Sequence, residues 1–494
     1  MSLLGLALLS SLLYWQGITA QYPLAHGIRT PRASWPQLVD FSRWAALQHA
    51  VVYALLIGCY MLALRLTLRL NVAHTRISIV VIVGGWLMSG VVLLGAYPGE
   101  SLDVFDYLFR GRMLVRLGAS PLAVTPDAFP SHAFYRYVSW KGWVDTYGPI
   151  WEYASGATAW LVGESGRMVL VRYIVGYRLL ALSLTLVCGV LIALIVRQTV
   201  PFHVPTALTA WLWNPLVLIS TGVGAHNDVL MLVFVLLALL LFQRHRWLLG
   251  WLALALAAHV KLTALLLLPV LGLWLVQRRG WWRAVAISSA AALIALPLSW
   301  LLYQPLGGWA TLPRMLRERT ILIYNSPGNI AYHELQTRWH WPEIDARPVV
   351  TLSSTLLFFV VAALLLVWQW RRRPTEALLW RSALVITLAY LLVGSYWFQS
   401  WYILWAIVLA TLLPMSRWAL TLLPLYSLGG LWSNLVTDFA NQDPAQLLTS
   451  TQIAWLMVGT LLVPMLCAVV LPSCWQLIRA AIAPWLPHEP VITP

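Results

Sequence analysis

Apolar runs long enough to cross a lipid bilayer recur from one end of this 494-residue chain to the other. Hydrocarbon offers no hydrogen-bond partners, so such a run must satisfy its own backbone, as a helix does within one segment. Runs fall near 2–19, 45–66, 77–97, 168–197, 204–220, 227–243, 247–260, 262–277, 282–303, 349–370, 376–394, 400–414, 417–433 and 451–473. The fold class that follows is all-α: a polytopic integral membrane protein with about fourteen transmembrane helices. Sixty per cent of residues are hydrophobic and only 10% charged, so no polar stretch is long enough to bury a core of its own. Residues 1–494 therefore read as one integral membrane domain. The first run lacks a basic flank, which favours a retained helix over a cleaved leader. Cys59, Cys188, Cys467 and Cys474 all fall in the runs without metal-ligand or disulfide spacing, and read as small buried hydrophobes.

Arginines mark the sides. Arg65, Arg69 and Arg76, then Arg244 and Arg246, then Arg278, Arg279 and Arg283, then Arg371 to Arg373 fall in short connections on one face. By the positive-inside rule that face is cytoplasmic. This requires that 150–163, a run of about fourteen residues and short for a span, lies along the outer interface. Of seventeen Asp and Glu residues, all but Glu376 and Glu489 then map to the outer side. Two long loops there, 98–167 and 304–348, hold most of them, and loops of that length are usually functional. The net charge of +15 belongs to these loop arginines and to lipid or phosphate contacts. No basic block stands on a soluble fold, which argues against nucleic acid as a partner.

Candidate chemistry clusters on that outer side. Asp103, Asp106, Tyr107 and Arg110 share one helical face at spacing i, i+3, i+4, i+7, a stripe normally apolar. A carboxylate at the water–lipid boundary suits a general base toward a hydroxyl, or a metal ligand; a solvated acidic helix face is the plainer alternative. Arg112 and Arg116 fall on the opposite side of that helix, placed to meet lipid phosphate. Tyr147-Gly148-Pro149 is a turn that aims one phenol. His226, Asn227 and Asp228 precede an apolar helix, where they suit a phosphate site or simply cap the helix. Lys141 and Lys261 are the only lysines. Lys261 sits where two short runs adjoin at "AHVKLT", a broken pair of the kind that lines a cavity, and an ionisable group at that depth is functional by default. Arg314, Arg317 and Arg319, followed by Tyr324 and Asn325, form an arginine cluster suited to phosphate.

The order of these segments, "DVFDYLFRGRMLVRLGASPL … YVSW … YGPIW", then "NPLVLISTGVGAHNDVLML", then "KLTALLLLP", resembles the polyprenyl-phosphate-sugar-dependent glycosyltransferases of the C superfold (GT-C). It is most similar to the bacterial α-1,6-mannosyltransferases that build lipoglycan backbones. The resemblance covers roughly residues 80–300. The last 150 residues resemble the family only as a run of spans. "GASPL" departs from the family's pattern by lacking a tyrosine.

The resemblance implies a multi-pass protein of the bacterial cytoplasmic membrane with its active site on the extracytoplasmic face. It implies inverting transfer of a sugar, mannose first among candidates, from a polyprenyl-phosphate donor to a glycan or glycolipid acceptor. Asp103 is then the base candidate, with Asp106 beside it as the second catalytic candidate. The remaining polar residues, Tyr107, Arg110, Arg112, Lys141, Tyr147, His226 to Asp228, Lys261, Arg314, Arg317, Arg319, Tyr324 and Asn325, are the pool for substrate binding. No cofactor is required by this scheme, though a divalent metal shared by Asp103 and Asp106 is compatible with it. A polymerase or ligase of lipid-linked saccharides, or their transporter, is the alternative. A transporter predicts inverted repeats and charge on both faces, neither of which is visible.

Overall fold

Each predicted apolar run is helical over most of its length in the computed structural model. The structure describes all residues except 1, 32, 71–74, 166–167, 321, 417–418, 441, 443 and 483–494, and the side chains of 319–320, 468–469 and 471–482 are likewise outside the described set. The helices are α1 (Leu3–Tyr14), the single turns α2 (Leu24–Gly27) and α3 (Trp35–Leu38), α4 (Arg43–Leu68), α5 (Thr75–Leu94), α6 (Asp103–Arg116), α7 (Pro149–Val162), α8 (Val169–Thr199), α9 (Val204–Leu212), α10 (Pro215–Gly222), α11 (Asp228–Gln243), α12 (Trp247–Ala258), α13 (Leu268–Arg279), α14 (Trp281–Tyr303), α15 (Leu312–Thr320), α16 (Pro327–Thr337), α17 (Glu343–Trp370), α18 (Glu376–Ala389), α19 (Ile403–Ala410), α20 (Ala419–Phe439) and α21 (Ser450–Ile482). Among the described residues, nine helices are long and apolar enough to cross a membrane, and the remaining runs form shorter apolar helices. The chain is an all-α, multi-pass membrane protein.

Local chemistry sets the boundaries. Ser42 caps α4 by accepting from the Ala45 amide, and Thr375 caps α18 through Leu378. Gly280, at φ 77°, supplies the left-handed turn between α13 and α14. The run at 204–220 is one span in the sequence but two helices in the structure. Pro215 removes an amide and clashes with a continuing helix, so α9 ends at Leu212. The Asn214 side chain takes over, accepting from the Leu216 amide while donating to Tyr60 and Ser427.

The bundle has two chemically distinct ends. At one, Gln277 donates to the carbonyls of Gln369, Trp370 and Arg372, and Gln243 donates to Glu376. The connections bearing Arg244, Arg278, Arg279 and Arg371 to Arg373 therefore meet there. At the other end the two long loops pack together: Ser120 donates to the Leu306 carbonyl, and Leu122, Val144, Tyr303, Leu306 and Met315 form a small separate core. Helix α7 lies against α6 and α8 at this end. Its fourteen residues rise about 21 Å, short of the roughly 30 Å of hydrocarbon. Ser155 and Trp151 are buried while Trp160 and Leu161 face outward.

Of the cysteines, Cys59 and Cys188 are buried as expected, but Cys467 is exposed; the side chain of Cys474 lies outside the described set. Helix α14 buries only Ala284, Ala291 and Tyr303 and otherwise presents apolar side chains outward.

If the arginine-rich end is cytoplasmic, cysteines placed at the exposed positions Ser131 and Arg372 label from opposite sides. In a background lacking the native cysteines, an impermeant maleimide added to intact cells should modify Ser131→Cys and spare Arg372→Cys. Labelling of both from outside would overturn the assignment of sides.

Candidate functional site

A cavity of about 360 Å³ opens at the acid-rich end, lined by Asp103, Asp106, Tyr107, Arg110, Tyr147 and Lys261 together with an aromatic set from two loops. Its construction begins at the break between α12 and the 3-10 segment Leu262–Leu267. There the chain leaves helical geometry at Lys261, whose backbone is extended (φ −152°, ψ 121°). Carbonyls freed at such a break must find donors. They find them at the start of α7: Gly148 N–H donates to the Val260 carbonyl and Ile150 N–H to that of His259. Pro149 between them has no amide to place. A Cβ at Gly148 would lie 2.0 Å from the His259 carbonyl oxygen, so this close approach requires glycine. The Tyr147-Gly148-Pro149 turn thus docks onto the break and sets the Tyr147 ring 5.3 Å from the Lys261 ammonium.

Lys261 is buried and donates to Asp228 Oδ1 at 2.7 Å. Trp405 Nε1 donates to the same oxygen at 2.6 Å. Asp228 is therefore a buried counter-ion and not a helix cap. Asn227 makes no capping bond either; both its side-chain polar atoms are buried without a partner. His226 lies flat on Trp401, with ring centroids 3.8 Å apart. Its Nδ1 is 3.8 Å from Asp103 Oδ2, a contact too long for a hydrogen bond. Burial, reinforced by Lys261, holds the His226 pKa well below its ordinary value, so the imidazole is neutral.

Asp103 opens α6 and keeps about 20% of its side chain exposed. Tyr107 donates to its Oδ2 at 3.4 Å, and the Tyr107 and Tyr147 hydroxyls are 3.4 Å apart. Burial in this apolar surround, then the Asp106 charge, push the Asp103 pKa up to about 7, against the pull of Lys261 and the Trp140 indole N–H. Asp106 has a different task. Its two oxygens accept from the Ser139 and Trp140 amides at 3.1 and 3.0 Å. Burial raises its pKa to about 6, offset by Arg110 and by those amides.

Arg110 works on the same loop, donating to the Trp140 and Trp143 carbonyls and facing Asp145 at 3.6 Å. Beneath it, Glu152 is fully buried with neither oxygen bonded. Burial and the nearby Asp145 push its pKa well up, so it is a neutral acid.

Several residues read as substrate-binding lie elsewhere. Arg112, expected at lipid phosphate, instead pairs with Glu164 at 2.7 Å, bonds His132, and stacks on Phe134 and Tyr173; Glu164 also holds Arg116. Lys141 sits over the Tyr135 ring, away from the cavity. Arg314 is spent on Glu318, one turn along α15. Asn325 is buried behind the site, accepting from Ser433. Arg317 is exposed and is not among the cavity-lining residues, although its neighbours Leu316 and Glu318 are, and the Arg319 side chain is outside the described set. Tyr324 reaches the cavity wall through its ring contact with Trp397.

The sequence reading missed the segment 395–405. Trp397, Gln399, Trp401, Tyr402 and Trp405 all line the cavity, and the density of aromatic residues in "YWFQSWYILW" was the available signal. No group of three or more His, Cys, Asp or Glu side chains among the described residues is disposed to hold a metal ion.

Comparison with known proteins places this geometry in context. The family described as alpha-(1->6)-mannopyranosyltransferase, N-terminal domain, matches residues 12–278. The chain is 28% identical over 331 residues to alpha-(1->6)-mannopyranosyltransferase A of Mycobacterium tuberculosis, covering 63% of this chain and 61% of that one. It is 30% identical over 185 residues to alpha-(1->6)-mannopyranosyltransferase A of Corynebacterium glutamicum, covering 36% of each. The chain thus spans less than two thirds of the length of either relative.

The buried Lys261–Asp228 pair makes a testable demand. Lys261→Met strands a buried carboxylate, which costs about 3–5 kcal/mol. Lys261→Met combined with Asp228→Leu removes both charges and should recover most of that loss without recovering function. Thermal unfolding in detergent measures both. A single variant as stable as the parent would mean that the pair is not formed.

Proposed function

The chain belongs to the alpha-(1->6)-mannopyranosyltransferase family, and from that premise we propose that it transfers a mannosyl residue from a polyprenyl-phosphate donor to a glycan or glycolipid acceptor. The reaction takes place on the extracytoplasmic face of the bacterial cytoplasmic membrane and inverts the anomeric centre. The observation that carries this reading is Asp103: a carboxylate of the aromatic cavity committed to neither a backbone amide nor an arginine, with a pKa brought to about 7 by burial and by Asp106. That value suits a general base working near neutrality.

Asp103 takes the proton of an acceptor hydroxyl while that oxygen attacks the anomeric carbon. The bond from that carbon to the phosphate oxygen breaks on the opposite face, and its electron pair leaves with the phosphate. The transition state is oxocarbenium-like, as in other glycosyl transfers. A phosphate leaves without protonation, so one carboxylate is enough and a paired acid is not needed. What the leaving group needs is positive charge. Lys261 at the cavity floor is the cation placed to supply it. Tyr107 orients Asp103 through its hydroxyl. Neutral His226, held flat by Trp401, fills the remaining side without competing for the proton.

Asp103→Asn keeps the shape of the side chain and removes its basicity, so turnover from a synthetic prenyl-phosphate mannose should fall about 10²- to 10⁴-fold. Donor binding should be nearly unchanged. Asp106→Asn should cost less turnover, and chelator should leave wild-type activity intact; severe loss in both variants together with chelator sensitivity would instead indicate a shared cation. Near-normal turnover in Asp103→Asn would refute the assignment.

The pH profile follows from the same group. Below pH about 7 the acid form predominates, so kcat/KM should drop about tenfold per unit toward acid and level off above neutrality. A profile flat from pH 5 to 8 would remove Asp103 as the base.

A further inference from the structure

Three indoles at the cavity rim are unaccounted for by the transfer chemistry. Trp140 and Trp143 stand edge to face, centroids 5.6 Å apart, and Trp140 meets Trp397 at 6.0 Å. All three line the cavity and none is fully buried. They sit toward water: Gly142, between the first two, is exposed, whereas Asp228, Lys261 and Trp405 at the floor are buried.

Neither loop that carries them relies on ring packing alone. The 139–143 loop is clamped from α6, where Asp106 accepts two of its amide N–H groups and Arg110 donates to two of its carbonyls. Trp397 is fixed by a two-sided backbone bridge, Tyr324 N–H to the Tyr396 carbonyl and Phe398 N–H to the Tyr324 carbonyl. Its own carbonyl accepts from Ser395 Oγ. Rigid aromatic faces held in this way at a wet rim are pre-organised for a ligand that is flat, neutral and only partly apolar.

A hexose ring is such a ligand. Its axial C–H bonds carry partial positive charge and meet the negative face of an indole, while its hydroxyls project edgewise. Among the described lining residues the one cation of the rim, Arg110, is committed to backbone and Asp145. A phosphate is therefore better served at the floor.

We propose that Trp140, Trp143 and Trp397 form the acceptor subsite, which stacks a hexose of a mannan-type chain so that its hydroxyl meets Asp103. Asp106 and Arg110 are then positioning residues for that wall. The proposal rests on the glycosyltransferase reading for its choice of sugar, yet it is tested without turnover.

The detergent-solubilised full chain is titrated with α-1,6-linked mannotriose in the absence of donor. The wild type should bind. Trp143→Ala and Trp397→Ala should each weaken binding about tenfold, the equivalent of about 1.4 kcal/mol. Trp143→Phe and Trp397→Phe keep a ring face and should bind within about threefold of wild type. Unchanged thermal unfolding in the alanine variants excludes loss of fold. Absence of mannotriose binding to the wild type, or alanine variants that bind as well as it does, overturns the proposal even if the protein is an active transferase. Conversely, a wild type that binds mannotriose through these rings but turns over no prenyl-phosphate mannose leaves the subsite standing and removes the transfer reading. In the kinetic arm Asp106→Asn should raise the acceptor KM more than it lowers kcat. A raised donor KM with an unchanged acceptor KM in the tryptophan variants would assign the wall to the donor sugar and overturn the proposal.

Discussion

Two backbone hydrogen bonds hold the site together. A membrane-embedded chain cannot leave helical geometry unless the freed carbonyls are met, and at 259–260 they are met by the first amides of α7. That one docking event joins the 98–167 loop to the broken pair of helices. It sets Tyr147 beside Lys261, which fixes Asp228, which in turn holds Trp405. Gly148 is the residue that makes it possible, because no side chain fits between it and the His259 carbonyl. The break in the helix and the turn in the loop, each unfavourable alone, are solutions to one another.

Around that joint the electrostatics are economical. Four carboxylates, from Asp103, Asp106, Asp145 and Glu318, line the cavity against Arg110 and Lys261. Most are committed: Asp106 to amides, Asp145 to Arg110, Glu318 to Arg314. Asp103 is left with only the long Tyr107 contact, the Trp140 indole and a neutral imidazole, so burial raises its pKa instead of a partner lowering it. Burial and Asp145 likewise keep Glu152 neutral.

Much of this was legible in the sequence. The all-α membrane fold follows from the apolar runs, since nothing else satisfies the backbone in lipid. The convergence of Asp103, Tyr147, His226, Asp228 and Lys261 was readable because each is a polar group placed where an apolar one is the default. Arg112 and Lys141 misled for a physical reason. The sequence shows that a charge exists but not what neutralises it, and Glu164 lies 52 residues from the arginine it holds. The aromatic wall was illegible for the opposite reason. Tryptophan at a membrane boundary is commonplace, and Trp397 or Trp405 carries no charge to mark it. The break at Asn214 was hidden because a single asparagine and proline interrupt an otherwise uniform run.

The segment that completes the cavity comes late in the chain, more than a hundred residues beyond the stretch that matches the family at 12–278. In a protein inserted from its N-terminus, Asp103, His226, Asp228 and Lys261 enter the membrane well before Trp397, Trp401 and Trp405 are made. Until then His226 has no ring to lie on, and Asp228 lacks one of its two donors. The half-made protein therefore carries every Asp, Glu, Lys and Arg of the cavity lining and none of the aromatic wall supplied by 395–405. The 395–405 segment then closes one side of the cleft with aromatic rings. A nascent chain stalled before residue 395 would hold the charged residues of the cavity without the ring that stacks on His226 and the indole that donates to Asp228.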